Sequence, residues 1–131
     1  MNQIDTASSA WVNTDEKIRK VGDEQHPAYI IETPYFQHNG DGIDLRVYPQ
    51  LDGRIKLTDN AMTAFELKFL NLKVGHDSQL DLHIKQIISG TSVKIGTDGE
   101  LYCLVSHIAD VSHAKHELMQ VVLAVGGLGP I

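Results

Sequence analysis

The chain has a single cysteine, Cys103, among 131 residues. One thiol excludes an intramolecular disulfide and any thiolate metal cluster. Cys103 falls in the apolar run Leu101–Val105, where a thiol is expected to be buried and inert. Long hydrophobic runs are missing too. The longest, Val121 to Val125, falls far short of the ~20 apolar residues that cross a bilayer. The opening MNQIDTASSAW lacks the basic start and apolar core of a secretory signal. Basic residues are scarce: 11 Lys and Arg face 17 Asp and Glu, for a formal charge of −6. General affinity for nucleic acid depends on clustered Lys and Arg, so nucleic acid is not the expected partner. These absences point to a soluble cytoplasmic protein with no membrane association. Its acidic surface serves solubility, meets a basic partner, or mimics nucleic acid.

Signatures of catalysis are equally thin. There is no G-x-S-x-G elbow, Walker loop, G-x-G-x-x-G or HExxH, and Cys103 has no electropositive neighbour in sequence to activate it. Gly126-Gly127-Leu128-Gly129 follows a helical pattern instead of opening one, so it is expected to be a helix end and tail with no phosphate cradle.

What is present is a pattern of elements. A hydrophobic content of 42% and a charged content of 21% suit one globular domain spanning 1–131, with 1–27 the least regular part and 126–131 a tail. Ala7, Ala10, Trp11, Ile18 and Val21 predict an irregular helix within 1–27, broken at Gly22–Pro27. Ala28–Thr33 is rich in β-branched and aromatic residues and predicts a strand that Pro34 stops. The turn formers His38-Asn39-Gly40-Asp41-Gly42 follow. Ile43, Leu45 and Val47 then alternate with Asp44, Arg46 and Tyr48, and Ile55 and Leu57 alternate with Arg54, Lys56 and Thr58. With Asp52-Gly53 between them, the two runs predict an antiparallel hairpin with one apolar and one polar face.

Helical spacing takes over at Thr63. Thr63-Ala64-Phe65-Glu66 matches a capping box, Met62 and Leu67 stand where a hydrophobic staple would form, and Phe65, Phe69, Leu70 and Leu72 supply the expected buried face. After a turn at Gly75, Ser78 is the expected cap of a helix with Leu80, Ile84, Ile87 and Ile88 on one stripe and Gly90 at its end. Strands Thr91–Ile95 and Glu100–Val105 flank Gly96–Gly99, and Val111, Ala114, Leu118, Val121, Val122 and Val125 mark a long last helix ended by Gly126, Gly127, Gly129 and Pro130. The predicted order is helix, three strands, two helices, two strands, helix. This is an α+β domain containing a winged-helix-like helix–turn–helix–hairpin segment.

Three sets of residues invite a chemical reading. Seven histidines occur, and His113 and His116, three apart on the last helix, would need His107 or Asp110 to complete a zinc site. Both lie off that helix's apolar stripe, so no metal or other cofactor is expected. On the hairpin, Asp44, Arg46, Arg54 and Lys56 share the polar face with Asp59 just beyond. A metal-dependent nuclease would place an acid-x-Lys triplet here, but the triplet is Arg54-Ile55-Lys56 and offers no second carboxylate. In the winged-helix segment, Gln79 and His83 stand on the helix in the recognition position, beside Asp81, Lys85 and Gln86. That helix is near neutral where phosphate contacts call for positive charge.

Three stretches carry a family resemblance: Ile31-Glu32-Thr33-Pro34-Tyr35-Phe36, Asp41-Gly42-Ile43-Asp44-Leu45-Arg46-Val47-Tyr48, and Leu57-Thr58-Asp59-Asn60-Ala61-Met62-Thr63. They resemble the TPF…D-x-I…LTD-x-G-x-T pattern of domain-of-unknown-function family eighteen twenty-eight, a bacterial family found in phage and mobile-element genomes. The resemblance spans about 28–128 and includes Asp98-Gly99-Glu100-Leu101-Tyr102. Two departures stand out. Ala61 replaces the family's glycine, implying a backbone there that is not glycine-only, and Gln37-His38-Asn39-Gly40 precedes Asp41. The resemblance implies a fold and a mobile-element setting and transfers no catalytic residue.

The expectation is therefore a non-enzymatic, acidic interaction module whose partner is a host protein or complex. Its concrete form is an inhibitor of a host defence complex such as a CRISPR effector, contacting it through Asp44, Arg46, Arg54, Lys56, Asp59, Gln79 and His83. A winged-helix nucleic-acid-binding regulator is the alternative, and a metal-dependent nuclease the third. A homodimer through the last helix or the strand edge near Tyr29 is also expected.

Overall fold

A computed structural model describes residues 3–36, 40 and 42–128. Its elements are α1 (Gln3–Ala7), a 3-10 turn (Ser8–Trp11), β1 (Lys17–Gly22), β2 (Pro27–Phe36), β3 (Gly42–Pro49), β4 (Ile55–Thr58), α2 (Met62–Phe69), α3 (Ser78–Ile88), β5 (Lys94–Ile95), β6 (Leu101–Val105), a 3-10 turn (Ile108–Asp110) and α4 (Val111–Gly126). The predicted mixture of helix and sheet holds, but the predicted order lacks a strand. Ile18 and Val21, expected on a helix, lie on β1, which pairs with β2 from Lys17↔Glu32 to Gly22↔Pro27. Of the expected turn, His38, Asn39 and Asp41 lie outside the described residues, as do Gln37, Gly129 and Pro130.

The strands form one antiparallel sheet in the order β1-β2-β3-β4-β6-β5. The β3–β4 hairpin has the predicted alternation: Val47 pairs with Leu57 and Pro49 with Ile55 on the inner face, while Arg46 pairs with Thr58 and Tyr48 with Lys56 on the outer. The β5–β6 hairpin is joined to this sheet through β6, where Leu57 pairs with Cys103, so it does not stand apart as a free wing. α4 lies on β4 and β6 and also touches α2 and α3. Its buried Val111, Ala114, Leu118 and Val122 meet a sheet face of Tyr29, Ile31, Leu45, Val47, Leu57 and Cys103. Each valine, leucine or isoleucine among them withdrawn from water stabilises the fold by roughly 1.5–3 kcal/mol. The Cys103 thiol is buried against the Ala114 carbonyl of α4, and burial raises its pKa. All helices described here therefore sit on one face of the sheet.

The N-terminal segment closes the far edge. Trp11 packs edge-to-face on Tyr29 with ring centroids 5.5 Å apart, and the Tyr29 hydroxyl donates to Asp5. Lys20 reaches the same carboxylate at 2.9 Å. Glu16 pairs with Lys115 of α4, both side chains 6% exposed. Tyr29, expected near a sheet edge, is consequently interior, because β1 covers β2. The edge strand carries Lys17, Arg19 and Lys20, and lysine-rich edges resist pairing with a second chain. The last helix gives one side to the core and keeps Ser112, His113, His116, Gln120 and Leu123 exposed on the other.

Candidate functional site

The most specific piece of the family pattern, Leu57 to Thr63, folds into a device that orients α2. Leu57 and Thr58 end β4 with no exposed surface. Thr58 donates its hydroxyl to Glu100, and Lys56 meets the same carboxylate at 3.0 Å. Asp59 is 2% exposed. Its Oδ1 accepts the amides of Ala61 at 2.8 Å and Leu101 at 2.9 Å, and its Oδ2 accepts that of Thr63 at 3.2 Å. One carboxylate thus ties the end of β4 to the start of α2 and to β6. Burial pushes its pKa up, against the opposing pull of the Leu101 amide.

Asn60 and Ala61 both take positive φ, 57° and 62°. The conformation inferred for Ala61 is thus corrected: the site is left-handed, the region that favours glycine, and alanine occupies it at a cost. The capping box is corrected too. The Thr63 hydroxyl makes no cap bond to the helix start; it is buried facing the Asp59 carboxylate, which accepts the Thr63 amide. A carboxylate four residues upstream has displaced the threonine hydroxyl because two left-handed residues fold the chain back over it. At the far end, Asn71 (φ 62°) closes α2 with Asn71 N–H to Lys68 O at 3.0 Å and Leu72 N–H to Leu67 O at 3.0 Å, the bonding of a Schellman motif.

Fixed at both ends, α2 turns Thr63 and Leu67 inward. Its aromatic residues, expected in the core, point outward: Met62 is 46% exposed, Phe65 50% and Phe69 70%. Phe65 and Phe69 stack edge-to-face at 5.0 Å. Met62, expected to staple to Leu67, is itself half exposed at the helix start. Beside this stripe runs a groove of about 450 Å³ between α2, the 73–76 turn and the 97–98 turn. Small side chains, Ala61, Ala64 and Val74, line it together with Phe65, and Lys68, Lys73, His76, Thr97 and Asp98 complete the lining. The 96–99 turn is held tight against α2. Gly99 has φ 87°, and a Cβ there would lie 2.6 Å from that of Ala64. Asp77, not the expected Ser78, caps α3 through Oδ1, accepting Gln79 N–H at 3.1 Å and Leu80 N–H at 3.0 Å. Leu80 and Ile84 are buried as expected.

The predicted site residues divide into four groups. Asp44, Arg46 and Lys56 lie on the outer sheet face, the side away from the inner-face residues Leu45, Val47 and Leu57. Register places Arg19, Ile30, Arg46, Thr58, Tyr102 and Lys94 in one row across it. Lys56 lies over the Tyr102 ring at 4.9 Å, and Arg19 pairs with Glu32 at 3.1 Å. Partial burial and the nearby Glu32 raise the Asp44 pKa. Arg54 is spent locally on Asp52 at 2.8 Å. Gln79 and His83 are exposed on α3, in the helical layer on the other side of the molecule. Asp59 is withdrawn from every surface. The residues on the outer sheet face therefore do not meet Gln79 and His83. Sequence reasoning took the outward stripe of α2 for core, since spacing alone does not say which way a helix faces. His113 and His116 are exposed on α4. His113 lies 3.9 Å from Glu117, and no group of three metal-capable side chains occurs among the described residues.

These features define a small α+β domain with a six-stranded antiparallel sheet, helices on one face and an aromatic stripe left facing water. The sequence profile of the family described as Domain of unknown function DUF1828 matches residues 33–125, and the chain belongs to that family. No curated protein and no solved structure matches it. The match begins inside β2, so α1 and β1 lie outside it. Among the described residues, no helix is long and apolar enough to cross a membrane.

Proposed function

We propose that the chain is a non-enzymatic interaction module that docks on another protein through the outer face of α2. The observation that carries this reading is the stripe of Met62, Phe65 and Phe69, left in water on a helix whose orientation is fixed at both ends. A soluble domain has no folding reason to expose two stacked phenylalanines, and rigid aromatic anchors are the usual centres of binding energy. The Asp59 carboxylate, which a nuclease would need for metal, is committed to three backbone amides. Acting in the cytoplasm of a bacterial host, with the phage or mobile-element setting the family resemblance implies, such a module would inhibit a host defence complex such as a CRISPR effector by occupying it.

The test is capture from a bacterial lysate, paired with plasmid protection in cells carrying active CRISPR interference. The wild-type chain is expected to retain a discrete partner and to protect the plasmid, and the Phe65→Ser/Phe69→Ser variant to lose both while keeping its circular dichroism. Equal behaviour of the two proteins removes α2 as the docking face. The order α2, turn, α3, β5 and β6 keeps a winged-helix regulator as the second reading. Its helix presents Gln79, Asp81, His83, Lys85 and Gln86, and retention of random duplex at low salt, lost in Lys85→Glu, is the result that would favour it.

A further inference from the structure

We infer that the α2 groove takes a short acidic segment of a partner protein, anchored by one or two apolar side chains; this rests on the docking reading above. Three observations converge on that occupant.

Area comes first. With aromatic and methionine side chains offering about 200 Å² each, the fractional exposures of Met62, Phe65 and Phe69 leave roughly 300 Å² of apolar surface. A stable dimer of folded chains covers about 800 Å² per partner. A little over half of that area is apolar, about 450 Å², so the stripe falls short of what a second copy needs and suits a linear segment with a few anchors.

Charge comes second. Lys68, Lys73 and His76 line the groove against one acidic residue, Asp98, whose Oδ1 already accepts the Glu100 amide at 3.0 Å. Among the described residues no ion pair reaches Lys68 or Lys73. The chain as a whole carries −6, yet screening confines each charge to about 8 Å at physiological salt. A docking segment therefore meets the lysines rather than the net charge. A basic segment is disfavoured at this position, and the acidic remainder of the surface limits where an acidic one can settle.

Shape comes third. Ala61, Ala64 and Val74 make a low floor beside Phe65, and the 96–99 turn locked on Ala64 by Gly99 forms one wall. A side chain laid beside Phe65 would meet the floor and this wall without any rearrangement of α2, which keeps the ordering cost on the segment alone.

The experiment is selection of a random short-peptide display library on the wild-type chain, with counter-selection on Phe65→Ser/Phe69→Ser. Recovered peptides are expected to be net acidic with an aromatic or aliphatic anchor. By fluorescence polarisation, their affinity is expected to fall at least about tenfold for Lys68→Glu/Lys73→Glu. Phenylalanine-dependent peptides that are neutral or basic, or that ignore the lysine reversals, overturn the acidic assignment and leave the docking reading standing. A library that yields no phenylalanine-dependent sequence also overturns the inference, and the lysate capture then decides separately whether α2 docks anything. Two further results overturn it: a dimer by ultracentrifugation that the phenylalanine variant dissociates, or a random single-stranded oligonucleotide that the wild type retains and the lysine variant releases.

Discussion

Replacing Asp59 tests the account of the α2 device most directly. In Asp59→Ala, the amides of Ala61, Leu101 and Thr63 lose an acceptor reached at 2.8, 2.9 and 3.2 Å. A hydrogen bond to a charged group contributes ~1.5–3 kcal/mol net. Three would suggest more than ~4 kcal/mol, but the carboxylate also carries a burial cost, evident in its raised pKa. The expected loss is about 3 kcal/mol, a large share of the ~5–15 kcal/mol that holds a domain together. With a urea slope of about 2 kcal/mol/M, the midpoint should fall by roughly 1.5 M. Asp59→Asn should fall between the two. Its oxygen can keep two amides, while its NH₂ faces the Thr63 N–H, for a cost of about 1–2 kcal/mol. The reasoning is refuted if Asp59→Asn unfolds at or above the wild-type midpoint, because a carboxylate kept for function is the kind whose removal relieves strain. Acid titration gives a second reading of the same group. Burial places the folded pKa above the ordinary 3.8, so ionisation of Asp59 costs stability at neutral pH. Its contribution is full below the unfolded value and is lost as pH rises through the folded one. The gap between wild type and Asp59→Asn should therefore widen as pH is lowered from neutral toward 3.8.

Ala61→Gly should stabilise the fold. The left-handed penalty of ~1–2 kcal/mol is relieved, and the greater freedom of glycine in the unfolded chain offsets only part of that. A melting temperature raised by about 2 °C is the expected calorimetric result. Lys115→Met should destabilise by about 3 kcal/mol, because it strands the buried Glu16 carboxylate. Adding Glu16→Gln should restore most of that loss in urea unfolding, and a double-mutant cycle without coupling would show that the pair does not hold the N-terminal segment.

The parts of this fold that were legible in the sequence are those where polarity alternates cleanly. Ile43, Leu45 and Val47 against Asp44, Arg46 and Tyr48 leave one solution, because a one-residue slip would invert every side chain. β1 escaped notice because Lys17, Arg19 and Lys20 belong to an edge strand, whose basic residues guard an open side. With only Ile18 and Val21 apolar, the spacing mimicked a helix. α2 was legible as a helix but not in its facing. Met62, Phe65, Leu67, Phe69 and Leu70 surround it, so periodicity could not choose a buried side. That choice is made by Asp59 and two left-handed residues, and the alanine at 61 pointed away from such a conformation. Thr63 and Ser78 were plausible caps displaced by nearby carboxylates, Asp59 and Asp77, whose geometry depends on the turns before each helix.

The position of α4 has a consequence for how the chain acquires its structure. β4 finds its second neighbour only in β6, pairing Ile55 with Val105, and the helix that fills the core follows every strand in the chain. During synthesis the first four strands can form as a meander, but its inner face of Ile31, Leu45, Val47 and Leu57 lacks the cover of α4 until residues past 110 have left the ribosome. Contacts of such long sequence separation slow folding and leave apolar surface open to misassociation. The half-made chain is thus its most vulnerable form, and the pairing of Lys115 with Glu16, 99 residues apart, is made only after that danger has passed.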